Sequence, residues 1–131
     1  MNWLLALIIL CSFLCKGGEK MNYEQKKILE KINRKININF RKFRECKHTS
    51  RHVYNSIILS YARYIVTNRD KKEFIMELED VQSFFKGLAL NNRSQSYMNT
   101  VLSALRYYAR KTYGKDSKIL QELENIRISE I

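Results

Sequence analysis

Apolar residues recur at helical spacing through most of the chain, and the clearest pattern lies between residues 93 and 114. Its apolar positions return every three or four residues, on one face of a helix: Tyr97, Val101, Leu105 and Tyr108. Ser94 precedes the pattern and can cap a helix, because its hydroxyl oxygen accepts a backbone N–H of the first turn. Gly114 follows the pattern and suits the residue after a last turn. The segment is predicted to be one amphipathic helix.

Four more segments read as helices. A first helix is predicted from residue 23 to about residue 44, with an apolar stripe at Ile28, Ile32, Ile36 and Phe40. Three asparagines weaken helix propensity towards its end, so a break in the helix there is an alternative prediction: Asn33, Asn37 and Asn39. A second helix is predicted to start at a cap on Thr49 or Ser50 and to end near residue 68.

A third, shorter helix is predicted over residues 79–88, and a last amphipathic segment follows a cap at Asp116 or Ser117. No segment alternates apolar and polar residues as a half-buried strand does. Proline is absent and there are only four glycines, so the usual punctuation of an all-β fold is missing. The predicted class is all-α, a compact bundle of four to five helices.

The length of 131 residues, with 45% hydrophobic residues, fits one domain with its own core. The predicted organisation is an apolar leader over residues 1–20, a helical domain over 21–115, and a C-terminal helix or linker over 116–131.

The leader contains an apolar run over residues 3–15, shorter than the roughly 20 residues that a membrane span needs. No Lys or Arg precedes the run and no small-residue cleavage site follows it, unlike a secretory signal. The codons for Lys16-Gly17-Gly18-Glu19 can spell a bacterial ribosome-binding sequence just before Met21. We therefore expect translation to start at Met21 and the protein to be cytoplasmic and associated with the nucleoid. The alternative is a membrane-associated basic interaction protein, anchored through residues 3–15.

The charge of the chain predicts an anionic partner. Lys and Arg number 24 against 13 Asp and Glu, a formal net charge of +11. The leader holds two lysines and one glutamate, so the charge from Met21 onward is still +10. Such an excess is typical of proteins that bind nucleic acid or anionic membrane surfaces. Most aromatic residues fall at core spacing, which leaves Tyr107 and Tyr113 as candidates for stacking on bases.

Metal and catalytic motifs are missing from the sequence. Cys46, His48 and His52 could be drawn as a metal cluster, but they lack a fourth ligand and any C-x-x-C element. There is no glycine-rich phosphate loop, no H-E-x-x-H and no G-x-S-x-G. We expect no cofactor, no metal and no enzymatic activity of these classes. Three cysteines do not make a disulfide framework, which favours a reducing compartment.

Several short motifs together resemble a known family. They are a Ser50…Tyr54…Ile58…Tyr61 series, V-Q-S-F-F-K-G-L at residues 81–88, and Ser94 followed by L-S-A-L-R at residues 102–106. This order resembles the N-terminal, SAM-like core-binding domain of tyrosine recombinases, the phage-integrase and Xer group. The resemblance covers about residues 47–115. Tyr97 departs from the pattern, since the family usually has Thr at that place.

The resemblance implies a DNA-binding module whose second and fourth helices face the major groove of double-stranded DNA and its phosphates. The residues on or beside those helices that could make such contacts are Lys47, Ser50, Arg51, Arg93, Ser94, Gln95, Asn99, Arg106 and Arg110. On the pattern of apolar stripes, the basic members of this set are expected to form one patch.

Catalysis in that family resides in a separate C-terminal domain with an Arg, a Lys, an H-x-x-R motif and a Tyr nucleophile. The H-x-x-R of this chain, from His48 to Arg51, precedes the L-S-A-L-R segment and is interpreted as chance. The resemblance therefore implies a stand-alone or truncated module without catalysis, acting in DNA recombination or integration. Its implied partners are DNA and a recombinase, either a separate catalytic domain or a full-length enzyme.

Overall fold

The computed structural model describes residues 21–43 and 48–131, and all regular structure in these residues is helical. They form five α-helices: α1 Tyr23–Lys42, α2 His48–Asn68, α3 Leu78–Leu90, α4 Gln95–Tyr113 and α5 Lys118–Glu124. A short 3-10 helix follows at Ile128–Glu130. The predicted all-α class with four to five helices is confirmed for the described residues.

The described chain divides into two units, with the boundary between Phe74 and Ile75. In the N-terminal unit, α1 packs against α2. Ile32, Ile36 and Phe40 of the predicted α1 stripe are buried, whereas Ile28 is only half-buried. Tyr61 of α2 is fully buried and meets the ring of Phe74 edge to face at 5.9 Å. Large apolar side chains on both helices thus supply the core of this unit.

In the C-terminal unit, α4 packs against α5 and the 3-10 helix, and α3 also contacts α5. The buried face of α4 includes Val101, Leu105 and Tyr108, each at most 1% exposed. Leu120 and Leu123 of α5 are buried as well. The amphipathic pattern predicted for α4 is therefore confirmed. The short α5 packs against α4 through its own buried face, which includes Leu120 and Leu123.

The ends of α4 are fixed by the residues that the sequence indicated. The Ser94 Oγ accepts the backbone N–H of Tyr97 at 3.0 Å, which satisfies one donor of the first turn. Gly114 ends the helix with φ at 97°, a conformation that residues with a Cβ rarely adopt. Asn92, in the turn before the helix, also has a positive φ of 59°, which asparagine tolerates better than most residues.

Several helix boundaries differ from prediction. Helix α1 runs unbroken to Lys42 in spite of its asparagines, since Ile36 and Phe40 anchor the final turns in the core. Helix α2 begins at His48, so the predicted caps Thr49 and Ser50 lie inside its first turn. Helix α3 is longer by one residue at its start and two at its end than the predicted range.

A spanning helix is missing from residues 21–43 and 48–131, where no helix combines sufficient length with sufficient apolar character to cross a membrane. The apolar leader over residues 1–20, with its two alternative interpretations, lies outside the described residues.

Candidate nucleic-acid interface

One face of α4 brings together three of the residues predicted to contact DNA. Gln95, Asn99 and Arg106 lie four and seven residues apart, so they share a side of the helix. They line a cavity of about 330 Å³ in the C-terminal unit. The rest of its wall comes from Leu102 and from the segment after α5: Ile126, Arg127, Ile128 and Ser129. No carboxylate is among these lining residues, and two of them are arginines.

Arg106 also holds the end of a neighbouring helix. Its Nε and Nη2 donate to the carbonyl oxygen of Leu123, at 3.1 and 3.0 Å, and Nη2 also lies 3.4 Å from the carbonyl of Glu124. These carbonyls end α5, where the helix dipole is negative and a cation is favourable. The half-buried Arg106 guanidinium is therefore a structural group as well as part of the cavity wall.

Arg127 is a cavity residue that the sequence interpretation missed. It follows α5 in an extended conformation, and its side chain is exposed between half-buried Ile126 and buried Ile128. Its Nη1 lies 3.4 Å from the Glu124 carbonyl, at the long end of hydrogen-bond geometry. The alternation of Ile126, Arg127 and Ile128 was the available signal, since flanking apolar residues that pack inward turn the residue between them outward.

The remaining predicted residues of this unit lie at or near α4. Ser94 is its cap, and the half-buried Arg93 precedes it. Arg110 is exposed one turn beyond Arg106, so its charge continues the basic face of the helix. The first turn of α4 also offers backbone N–H groups and the positive end of a 19-residue helix.

The other predicted residues belong to the N-terminal unit. Ser50 and Arg51 are half-buried in the first turns of α2, and Lys47 lies outside the described residues. The Arg51 Nη2 donates to the carbonyl oxygen of Phe43 at 3.0 Å, so this arginine closes the end of α1. The predicted DNA contacts thus fall into two groups, one in each unit, and their union in a single patch stays a prediction.

Neither candidate for base stacking presents a fully exposed ring. Tyr113 is half-buried, and its hydroxyl oxygen accepts the backbone N–H of Met76 at 3.1 Å. Burial raises the pKa of the Tyr113 hydroxyl, and this hydrogen bond opposes part of that rise. Tyr107 is half-buried too, with the Lys111 Nζ 5.8 Å from the centre of its ring. Tyr113 therefore acts in the C-terminal unit as a structural group.

Most polar side chains that line the α4 cavity are hydrogen-bond donors. Arginines, side-chain amides and a serine hydroxyl all can donate hydrogen bonds to phosphate oxygens. Among residues 21–43 and 48–131, no group of three or more His, Cys, Asp and Glu residues could hold a metal ion. Cys46, of the metal cluster drawn from the sequence, lies outside those residues.

Comparisons of the chain with protein-family models, with curated proteins and with solved structures gave no match.

Proposed function

We propose that the protein is a non-catalytic DNA-binding module that holds the phosphate backbone through the α4 cavity. The observation that carries the proposal is the convergence of Gln95, Asn99, Arg106 and Arg127 on one cavity, with no carboxylate among its described lining residues. Hydrogen-bond donors around a concave site are what a phosphate group requires. The cavity also includes Gln95, the first residue of α4, and the positive end of the helix dipole favours anions there.

The net charge of +11 supports a polyanion as the partner. Charge of this size raises the local concentration of a polyanion and speeds its association with the protein. Contacts made mainly to phosphates fix the position of a protein on the duplex and carry little sequence information. We therefore propose weak, largely sequence-independent binding, with a Kd of ~10⁻⁶ M or poorer at physiological salt.

The motif resemblance extends the proposal to DNA recombination or integration. In this proposal the module occupies duplex DNA while a recombinase performs strand exchange. That recombinase is either a separate catalytic domain or a full-length enzyme. Protein incubated with a suicide recombination substrate is then expected to leave it uncut and to form no covalent adduct. A covalent protein–DNA species would contradict the non-catalytic part of the proposal.

The experiment that tests DNA binding is a titration of labelled duplex DNA with the wild-type chain and single variants. Arg127→Gln is the main variant, because Arg127 is exposed and a change there leaves the Arg106 contacts with α5 in place. Its affinity should fall about fivefold to tenfold, equal to roughly 1–1.4 kcal/mol. Arg110→Gln should give a smaller loss, since Arg110 lies one turn outside the cavity lining.

Lys26→Gln is the matched control, because Lys26 is an exposed cation on α1 in the N-terminal unit. It removes the same formal charge and should change the affinity by less than about twofold. Equal losses for Arg127→Gln and Lys26→Gln would contradict a localised site and leave a diffuse basic surface.

A further inference from the structure

A second polar cavity lies in the N-terminal unit, between the last turns of α1 and the first turns of α2. Its volume is about 270 Å³, several times the roughly 30 Å³ that one water molecule occupies in the liquid. The lining residues are Asn37, Phe40, Arg41, Arg51, His52 and Asn55. Among the described residues, its wall contains no carboxylate, whereas it contains two arginines, an imidazole and two amides.

The lining residues share faces of their helices. Asn37 and Arg41 are four residues apart on α1, and Arg51 and Asn55 are four apart on α2. Arg41 and His52 are exposed at the mouth of the cavity, while Asn37 and Asn55 are half-buried. Arg51 is held in place, because its Nη2 donates to the carbonyl oxygen of Phe43 at 3.0 Å.

Asn55 adds a half-buried amide to this wall. Its amide oxygen is inaccessible to solvent and has no hydrogen-bond partner, so the NH2 group is the end of the amide left to donate to an anion in the cavity.

We propose that this cavity binds one phosphate group, with Arg41 and His52 at its mouth and the amides of Asn37 and Asn55 inside. This phosphate site depends on the proposed DNA-binding function only if the bound phosphate belongs to DNA. Inorganic phosphate or the phosphate of a small metabolite presents the same chemistry. The α4 cavity lies in the other unit, so the two sites can be tested separately.

The test begins with inorganic phosphate added to the full ¹⁵N-labelled chain and followed by amide chemical shifts. Saturable shifts are expected at residues 37, 41, 52 and 55, and equal concentrations of chloride should leave these shifts unchanged. The double variant Arg41→Gln/His52→Gln should weaken phosphate binding at least about tenfold, because it removes charge-assisted donors worth more than 1.4 kcal/mol together. Lys42→Gln, an exposed cation on the same turn that does not line the cavity, should change binding less than about twofold.

Asn55→Asp provides a nearly isosteric change that places a carboxylate inside the cavity. Repulsion between that carboxylate and the phosphate should abolish the shifts. The same variants are then titrated with duplex DNA. A parallel loss of DNA affinity assigns the phosphate to the nucleic-acid backbone, whereas unchanged DNA affinity assigns it to a free phosphate compound.

Absence of localised shifts with inorganic phosphate, together with equal DNA affinities for Arg41→Gln/His52→Gln and Lys42→Gln, would overturn this proposal. Failure of the wild-type chain to bind duplex DNA would instead contradict the proposed function. The phosphate site of the N-terminal unit would still stand if the inorganic phosphate shifts were present.

Discussion

At the scale of single residues, Arg51 and Arg106 have a structural role besides their predicted contacts with DNA, because each stabilises the C-terminal end of a helix. Arg51 donates to the carbonyl of Phe43, the residue that follows α1, and Arg106 donates to carbonyls at the end of α5. Both guanidiniums meet the negative end of a helix, where a cation satisfies oxygen atoms that have no partner within the helix. An alanine substitution at either position would therefore mix a change in folding with any change in binding.

Arg106→Ala is expected to destabilise the protein by about 1–3 kcal/mol, because it removes hydrogen bonds from a charged donor to half-buried carbonyls. The free energy of unfolding in urea measures the loss. Amide exchange at residues 125–128 should also accelerate, since the Leu123 and Glu124 carbonyls lose their hydrogen bonds to α4. Arg106→Lys should restore part of the stability, as one ammonium cannot reproduce the two-donor contact of a guanidinium. A fully stable Arg106→Ala would contradict the role assigned to these bonds.

Tyr113 gives the protein a specific dependence of stability on alkaline pH. The pKa of its hydroxyl is raised above the usual 10.0, so the folded state retains this proton at pH values where the unfolded chain has lost it. Its contribution to stability is therefore complete below pH 10.0 and falls as the pH rises through the folded-state pKa. Tyr113→Phe should flatten that alkaline fall and cost about 1 kcal/mol at neutral pH through the lost Met76 hydrogen bond.

The measurement is urea unfolding of both proteins between pH 8 and about pH 11, near the ordinary tyrosine pKa. Tyr23→Phe is the control, because Tyr23 is 73% exposed and its removal should leave the alkaline slope as in the wild type. Identical slopes for wild type and Tyr113→Phe would contradict the assignment.

At the scale of elements, α4 is organised by an apolar face and a basic face. Leu105 is fully buried on the first face, and Arg110 is exposed on the second. Leu105→Ala should lower the free energy of unfolding by ~2–5 kcal/mol, since a buried leucine loses both transfer energy and packing contacts. Arg110→Ala should change it by no more than about 0.5 kcal/mol. Equal losses in chemical denaturation would show that the two faces were assigned wrongly.

The helices could be predicted because their signals are local. Stripes such as Ile32, Ile36 and Phe40, and end signals such as Ser94 and Gly114, are written within a few residues of the helix they define. The contacts of Arg51 and Arg106 could not be predicted in the same way. Each reaches a carbonyl at the end of another helix, 8 and 17 residues away along the chain, and that pairing depends on how the helices pack.

The cavities illustrate the same limit for the candidate sites. Gln95, Asn99 and Arg106 were predicted because the family resemblance implied that their helix, α4, faces DNA. Arg127 was missed, since it enters the cavity from a segment that was interpreted as a terminal helix or linker. Asn37 was considered only as one of the asparagines that weaken the end of α1, and Arg41 was not singled out, although both line a cavity with residues of α2.

At the scale of the whole molecule, the proposed function combines long-range attraction by the positive charge with local contacts in the cavities. The net charge of +11 acts on any polyanion and is screened beyond about 8–10 Å at physiological salt. The two cavities, one in each unit, are proposed to bind only phosphates that enter them. If binding is purely diffuse, substituting any one cation should alter the salt dependence to a similar extent. If binding uses defined phosphate contacts, substituting a cavity arginine should alter it most.

Salt dependence measured on duplex DNA distinguishes these two kinds of binding. If four or five phosphates are engaged, the logarithm of the association constant should fall with the logarithm of salt concentration with a slope of roughly −4. Arg127→Gln should flatten that slope by about one, because one phosphate contact releases about one counterion. Lys26→Gln, on the exposed face of α1, should leave the slope nearly unchanged. A binding constant independent of salt, or equal changes of slope for the two variants, would contradict phosphate binding at the α4 cavity.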